Sequence, residues 1–79
     1  MRQFLESVST SKRRASAMDH ALKEAEEAIA EIISGREAVL LSPRSAYIRR
    51  LQHIMAERHS LASRSSGKEP QRRVEIFRE

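Results

Sequence analysis

The sequence contains no cysteine and no tryptophan, and its aromatic side chains are one tyrosine and two phenylalanines. Without cysteine, the chain has no disulfide framework, no thiolate metal ligand and no cysteine nucleophile. The scarcity of aromatic side chains leaves few surfaces on which a flat ligand could stack. The sequence therefore gives no support for thiol chemistry and little support for extensive aromatic stacking of a ligand.

Long apolar runs are also missing. No stretch approaches the length of a membrane span, and the segment after Met1 lacks the apolar core of a signal peptide. We therefore expect a cytoplasmic protein. The chain has 79 residues, of which 39% are hydrophobic and 33% are charged, which is typical of one small domain with a thin core.

The net charge of +4 is unevenly distributed along the chain. Residues 18–35 carry one lysine against five acidic residues, whereas residues 36–79 carry ten lysines and arginines against five glutamates. This asymmetry favours a polyanionic partner for the C-terminal half. The alternative is a small basic domain that binds nothing specific.

The first helix is predicted to begin at Ser16, with Asp19 completing a capping box, and to end at Gly35. Residues 1–15 show no sustained period and are predicted to form a flexible basic tail, so the folded domain is placed at residues 16–79. The apolar residues that follow a 3.6-residue period in the helix are Met18, Leu22, Ala25, Ile29, Ile32 and Ile33.

A second helix is predicted to open at Ser42-Pro43 and to run to about Arg58. Arg49 and His53 are four residues apart and share one face, which we expect to be exposed to solvent. The residues that we expect to form the buried stripe on the opposite side are Tyr47, Ile48, Leu51, Ile54 and Met55.

Three short segments have the composition of strands: residues 37–41, 61–66 and 72–77. Gly67 and Pro70 indicate a hairpin loop over residues 66–71. The resulting order is α-β-α-β-β. Two amphipathic helices need a common surface to bury against, so we predict an α+β fold with both helices packed on one face of a small three-stranded sheet.

One set of residues resembles the R-3-H domain, a family of single-stranded nucleic-acid-binding modules named for an arginine, three residues and a histidine. Arg49 and His53 match the naming pair. The second half of the pattern is matched by Ser63-x-Ser65-x-Gly67 and by Glu69-Pro70-x-Arg72-x-Val74-x-Ile76.

The resemblance implies a non-catalytic module that binds single-stranded DNA or RNA, mainly through phosphates. Arg49 and His53 are predicted to carry the site, since arginine forms charge-assisted bonds to phosphate and a histidine ring donates one or two. The residues predicted to assist are Arg50, Ser63, Ser65, Gly67, Lys68 and Arg72. Tyr47 is assigned to the core, which leaves Phe77 and Phe4 as stacking surfaces.

Enzymatic and cofactor chemistry has little support in the sequence. His53 and His59 fall on different sides of the second helix and no acidic cluster joins them, so no metal site is expected. No phosphate-cradling motif of an ATPase is present, and no cofactor is predicted.

Residues 41–53 and 61–67 also resemble the C-terminal end of stage III sporulation AA-like ATPases, in which such a module follows an AAA-type ATPase domain. A parent AAA ATPase domain in a full-length protein is therefore one expected partner, with no membrane partner. The alternative function is a protein-interaction or assembly module that docks an acidic partner or that parent ATPase.

Overall fold

The computed structural model describes residues 16–79, so the predicted tail at residues 1–15 lies outside the described part of the chain. Its helices are α1 (Ala17–Ile33) and α2 (Ala46–Arg58), and its strands are β1 (Ala38–Leu40), β2 (Ala62–Ser66) and β3 (Arg73–Phe77). The strands form one antiparallel sheet in the order β1-β3-β2. The α+β fold with the order α-β-α-β-β is confirmed.

Both ends of α1 follow the sequence prediction. The Ser16 hydroxyl accepts the Asp19 N–H at 3.1 Å and the Asp19 carboxylate accepts the Ser16 N–H at 3.0 Å, which closes the capping box. The hydrogen bond from the Ser16 backbone N–H, and after it the interaction with the Ser16 side chain, lower the pKa of the Asp19 carboxyl. At the other end Gly35 takes a positive φ of 127° and donates its N–H to the Ile32 carbonyl, as a left-handed cap does.

The core lies between the helices and one face of the sheet. Val74 and Ile76 of β3 are fully buried there, in agreement with the predicted alternation of that strand. Ile33, which follows the 3.6-residue apolar period of the first helix, is nevertheless 63% exposed. The other core residues are Ala25, Ala28, Ile29, Ile32, Leu41 and Ala56.

The predicted start of the second helix was wrong by one helical turn. Ser45, not Ser42, caps α2, and its hydroxyl accepts the N–H of Ile48. The N–H and the hydroxyl of Ser42 both donate to the carboxylate of Glu24 on α1, at 3.0 and 2.9 Å. Ser42 therefore fastens the loop between β1 and α2 to the first helix, where its side chain is not available as a cap.

The predicted buried face of the second helix was confirmed in part, since Ile48, Leu51 and Met55 are half-buried and Met55 packs against the core. Tyr47 is 63% exposed and Ile54 is 38% exposed, so Tyr47 does not belong to the core. The buried residues of α2 are Arg49, Gln52 and Ala56. The Gln52 amide N–H donates to the Ala21 carbonyl of α1 at 3.1 Å, whereas its buried Oε1 has no hydrogen-bond partner among the described residues.

The strand boundaries lie within two residues of those predicted, and the hairpin loop between β2 and β3 is confirmed at residues 67–72. Within residues 16–79, neither helix is long and apolar enough to cross a membrane.

Candidate nucleic-acid interface

His53 projects from α2 onto the edge strand β2. Its Nδ1 lies 2.6 Å from the Ser63 hydroxyl and its Nε2 lies 3.0 Å from the Ser65 hydroxyl. The two serines alternate along β2 and therefore point to the same face of the sheet, toward the helix. Both ring nitrogens of His53 are thus engaged by hydroxyl groups that are themselves half-buried.

Arg49, one helical turn before His53, is 7% exposed, so the expected solvent-facing position was wrong. Its Nη1 donates to the Arg44 carbonyl at 2.7 Å, and its Nη2 lies 3.1 Å from the Glu69 carboxylate. The guanidinium therefore joins the segment before α2 to the loop between β2 and β3. Its burial follows from these partners, because a charge leaves water readily only when it is paired.

The loop at residues 67–72 is folded tightly beside this pair. Gly67 has a φ of 89°, and a Cβ at that position would lie 3.3 Å from the Gln71 carbonyl oxygen. The Gly67 carbonyl accepts Nη1 of Arg72 at 2.8 Å, and the Lys68 carbonyl accepts the N–H of Gln71 at 2.7 Å. A glycine is required here both for the backbone angle and for the close approach of the loop.

Burial lowers the pKa of His53, and the charge of nearby Arg49 lowers it further. The ring is consequently neutral at neutral pH. A neutral imidazole has one N–H donor and one acceptor nitrogen, so one of the two serines donates to the ring and the other accepts from it. The serine that accepts keeps its own O–H free for a third group.

Apart from the buried Arg49, the predicted site residues fall into three groups. His53, Ser63 and Ser65 contact one another directly. Gly67, Lys68 and Arg72 all lie in the hairpin loop, where Nη1 of Arg72 donates to the Gly67 carbonyl. Arg50 is exposed on α2 and, within residues 16–79, makes no side-chain hydrogen bond or ion pair.

Sequence reasoning missed the partners of Arg49, which are Arg44 and Glu69. The signal for Glu69 was present, since it belongs to the Glu-Pro element of the resemblance, but its pairing with Arg49 is a tertiary contact. In the described part of the chain, no group of three His, Asp or Glu side chains is placed to hold a metal ion.

The fold and this polar cluster define a small binding module built from two helices on a three-stranded sheet. Residues 20–78 match the R-3-H domain family, and the chain belongs to that family. Domains of this family are nucleic-acid-binding modules and are not catalytic.

The chain is also 45% identical over 60 residues to an uncharacterized protein, ycf45, of Porphyra purpurea. The similar region covers 75% of this chain but only 11% of that relative. The chain thus corresponds to a small part of a much longer protein in that organism.

Proposed function

We propose that this domain binds single-stranded DNA or RNA through backbone phosphates, with the hydroxyls of Ser63 and Ser65 as direct donors. The observation that carries the proposal is the contact of both hydroxyls with the two ring nitrogens of His53, at 2.6 and 3.0 Å. When it is protonated, the histidine orients two donors side by side on an edge strand, where an incoming phosphate has access from the free side of β2.

The hydrogen-bond capacity of the cluster fits an anion. Each serine hydroxyl has one proton and two lone pairs. When His53 is protonated, both ring nitrogens donate, so both serines accept from the ring and both O–H groups are free. Two neighbouring hydroxyl donors beside an imidazolium suit two oxygens of one phosphate group.

The basic residues have two different roles in this proposal. We assign Arg49 a positioning role, in place of the direct phosphate contact expected from the sequence, because its guanidinium is buried against Arg44 and Glu69. Lys68, Arg50 and Arg72 supply the accessible positive charge, since the first two are exposed and Arg72 is half-buried. Phosphates would therefore be attracted by the loop and by α2, and bound by the serines.

A fluorescence anisotropy titration with a short labelled oligonucleotide tests this proposal. Replacing both Ser63 and Ser65 by alanine should weaken binding at least about tenfold for each hydroxyl that donates to phosphate, because a hydrogen bond to a charged group contributes about 1.5–3 kcal/mol. Ser66→Ala is the matched control, since Ser66 is exposed on the same strand and points to the other face. A folded double variant with unchanged affinity would refute the proposal.

The same titration addresses the form of the nucleic acid. Single-stranded DNA, single-stranded RNA and a duplex of equal phosphate number are compared. Equal or tighter binding of the duplex would remove the single-stranded part of the proposal and leave only general phosphate binding.

A second candidate function is protein docking within a longer polypeptide, which includes the parent AAA ATPase expected from the sequence. It is favoured by the exposed apolar side chains Tyr47 and Ile54 on α2 and by the small share of the algal relative that the chain covers. An acidic peptide discriminates between the two functions. Saturable binding of polyglutamate without any binding of oligonucleotide would favour the docking function.

A further inference from the structure

The second face of the sheet has no helix of the described chain packed on it. Both helices cover the face that carries Val74 and Ile76, whereas Glu75 and Phe77 alternate to the opposite face. Through the register of β2 with β3, Arg64 stands directly across from Glu75 on that same face. This surface, which we call the open face, is therefore distinct from the surface of His53 and the two serines.

An arginine and an aromatic ring form a stacked pair on the open face. Cζ of Arg64 lies 4.9 Å from the centroid of the Phe77 ring, within the range of a cation–π contact. Nε of Arg64 donates to the Glu75 carboxylate at 2.8 Å, which restrains the guanidinium over the ring. The Arg64 side chain is nevertheless 65% exposed.

Such an arrangement has the properties of a stacking platform. Single-stranded nucleic acids are commonly bound by stacking of unpaired bases on aromatic rings and on arginine guanidinium planes. The Phe77 ring stacks on one side of the guanidinium and Glu75 accepts a hydrogen bond from its Nε. These contacts already reduce the conformational entropy of the Arg64 side chain before a ligand binds. Leu40, across from Glu75 on β1 and 54% exposed, adds apolar surface next to the pair.

We propose that the Arg64–Phe77 pair on the open face stacks a base of the same single strand whose phosphate is bound by Ser63 and Ser65. This inference rests on the proposed function. Consecutive residues of a strand point to opposite faces, so Ser63, Arg64 and Ser65 place phosphate donors on one side of β2 and a base platform on the other. Because β2 is an edge strand, a nucleic-acid strand that follows its free edge reaches both sides.

Charge supports a nucleic acid as the occupant of the open face. Among the strand residues of this face, Arg64 and Arg73 carry positive charge and Glu75 carries the one negative charge. The face therefore has a net positive charge. A base that stacks on Arg64 is linked to phosphates that this positive charge attracts. The same charge would attract an acidic protein segment, but such a segment does not need the flat guanidinium of Arg64 as a stacking surface.

The test compares two oligonucleotides with equal numbers of phosphates: oligothymidylate and an abasic strand of the same length. Wild-type protein should bind the base-bearing strand at least about fivefold more tightly, as expected for one stacked base. Arg64→Lys keeps the charge but removes the planar group, so it should abolish this preference while binding of the abasic strand is retained. Arg64→Ala should abolish the preference and also weaken binding of both strands.

Arg36→Ala is the matched control. Arg36 is 60% exposed and is paired with Glu31 at 2.6 Å, so its loss removes one charge and one surface ion pair, as the loss of Arg64 does. The preference for the base-bearing strand should persist in this variant.

The outcomes separate the two proposals. Equal binding of both oligonucleotides by wild-type protein would overturn the platform and leave phosphate binding intact. A preference that persists in Arg64→Lys would also overturn it, since the base would then be recognised elsewhere. Binding of neither oligonucleotide would overturn the proposed function together with the platform.

Discussion

Arg49 is a charged side chain that is used to hold backbone segments together. Its guanidinium donates to the Arg44 carbonyl and pairs with Glu69, and only 7% of the residue is exposed. The ion pair itself contributes little where Glu69 is 62% exposed and solvated. The hydrogen bond to the Arg44 carbonyl is part-buried, and the alkyl part of the side chain is removed from water together with it.

Replacing Arg49 by alanine should lower the free energy of unfolding by about 2–3 kcal/mol, because a buried charge-assisted hydrogen bond and packed surface are lost together. The neighbouring Arg50→Ala is the matched control, since Arg50 is exposed on the same helix. We expect that control to change stability by less than about 0.5 kcal/mol. Denaturant unfolding measures both variants, and equal effects would contradict the structural role of Arg49.

The titration of His53 should affect stability and binding in opposite directions. Burial and Arg49 lower the pKa of His53 below its ordinary value of 6.5. The unfolded chain therefore takes up a proton more readily than the native protein, and stability should decrease as the pH falls below 6.5 toward the lowered pKa. A bound phosphate favours the protonated ring, so oligonucleotide binding should tighten over the same window.

His53→Gln should remove both trends, which unfolding and anisotropy titrations measure in parallel. His20 and His59 are retained in this variant, so they serve as internal controls. An unchanged pH dependence in His53→Gln would assign the titration to another group.

At the level of the elements, the shape of the hairpin loop between β2 and β3 depends on the backbone conformation of one residue. Gly67 has a φ of 89°, and an added Cβ would meet the Gln71 carbonyl at 3.3 Å. Gly67→Ala should therefore destabilise the protein by about 1 kcal/mol or more and displace the loop that bears Lys68 and Glu69, with a loss of oligonucleotide affinity.

Gly35→Ala is the control that separates a loss of stability from a loss of oligonucleotide affinity. Gly35 also has a positive φ, but no atom lies within 4 Å of an added Cβ, and it caps α1 away from the loop. That control should lower the melting temperature and leave the affinity unchanged. Parallel losses of affinity in both variants would show that stability alone controls binding.

Local signals were sufficient to predict α1, the sheet and the hairpin. The capping box at Ser16, the glycine at Gly35 and the alternation of Val74 and Ile76 each act over a few residues, so sequence reveals them. They correctly predicted the fold class because two helices and three strands of these lengths have few ways to bury their apolar faces.

The orientation of α2 was not predictable from its own sequence. Its most apolar face contains Tyr47 and Ile54, which are exposed, whereas Arg49 is buried where it pairs with Glu69 and Gln52 is buried where it donates to the Ala21 carbonyl. Tertiary partners of this kind override the apolar period. For the same reason the sequence indicated which residues belong to the candidate site, but not that His53 contacts the serines.

On the scale of the whole molecule, the proposed phosphate binding predicts how affinity depends on salt. Lys68, Arg50 and Arg72 are the accessible cations proposed near the site, whereas Arg49 is balanced by Glu69. If these three cations each neutralise one phosphate of a single strand, a plot of log K against log salt should have a slope of about −2, from about −0.7 per phosphate. The measurement is a set of anisotropy titrations at increasing ionic strength.

Single-charge variants assign that slope to particular residues. Lys68→Ala should make the slope shallower by about 0.7, because one fewer counterion is released on binding. Arg36→Ala removes the same charge from an arginine that is paired with Glu31, outside the proposed site, and should leave the slope unchanged. Equal changes in the two variants would mean that net charge alone governs binding, and a slope near zero in the wild-type protein would rule out phosphate contacts as its basis.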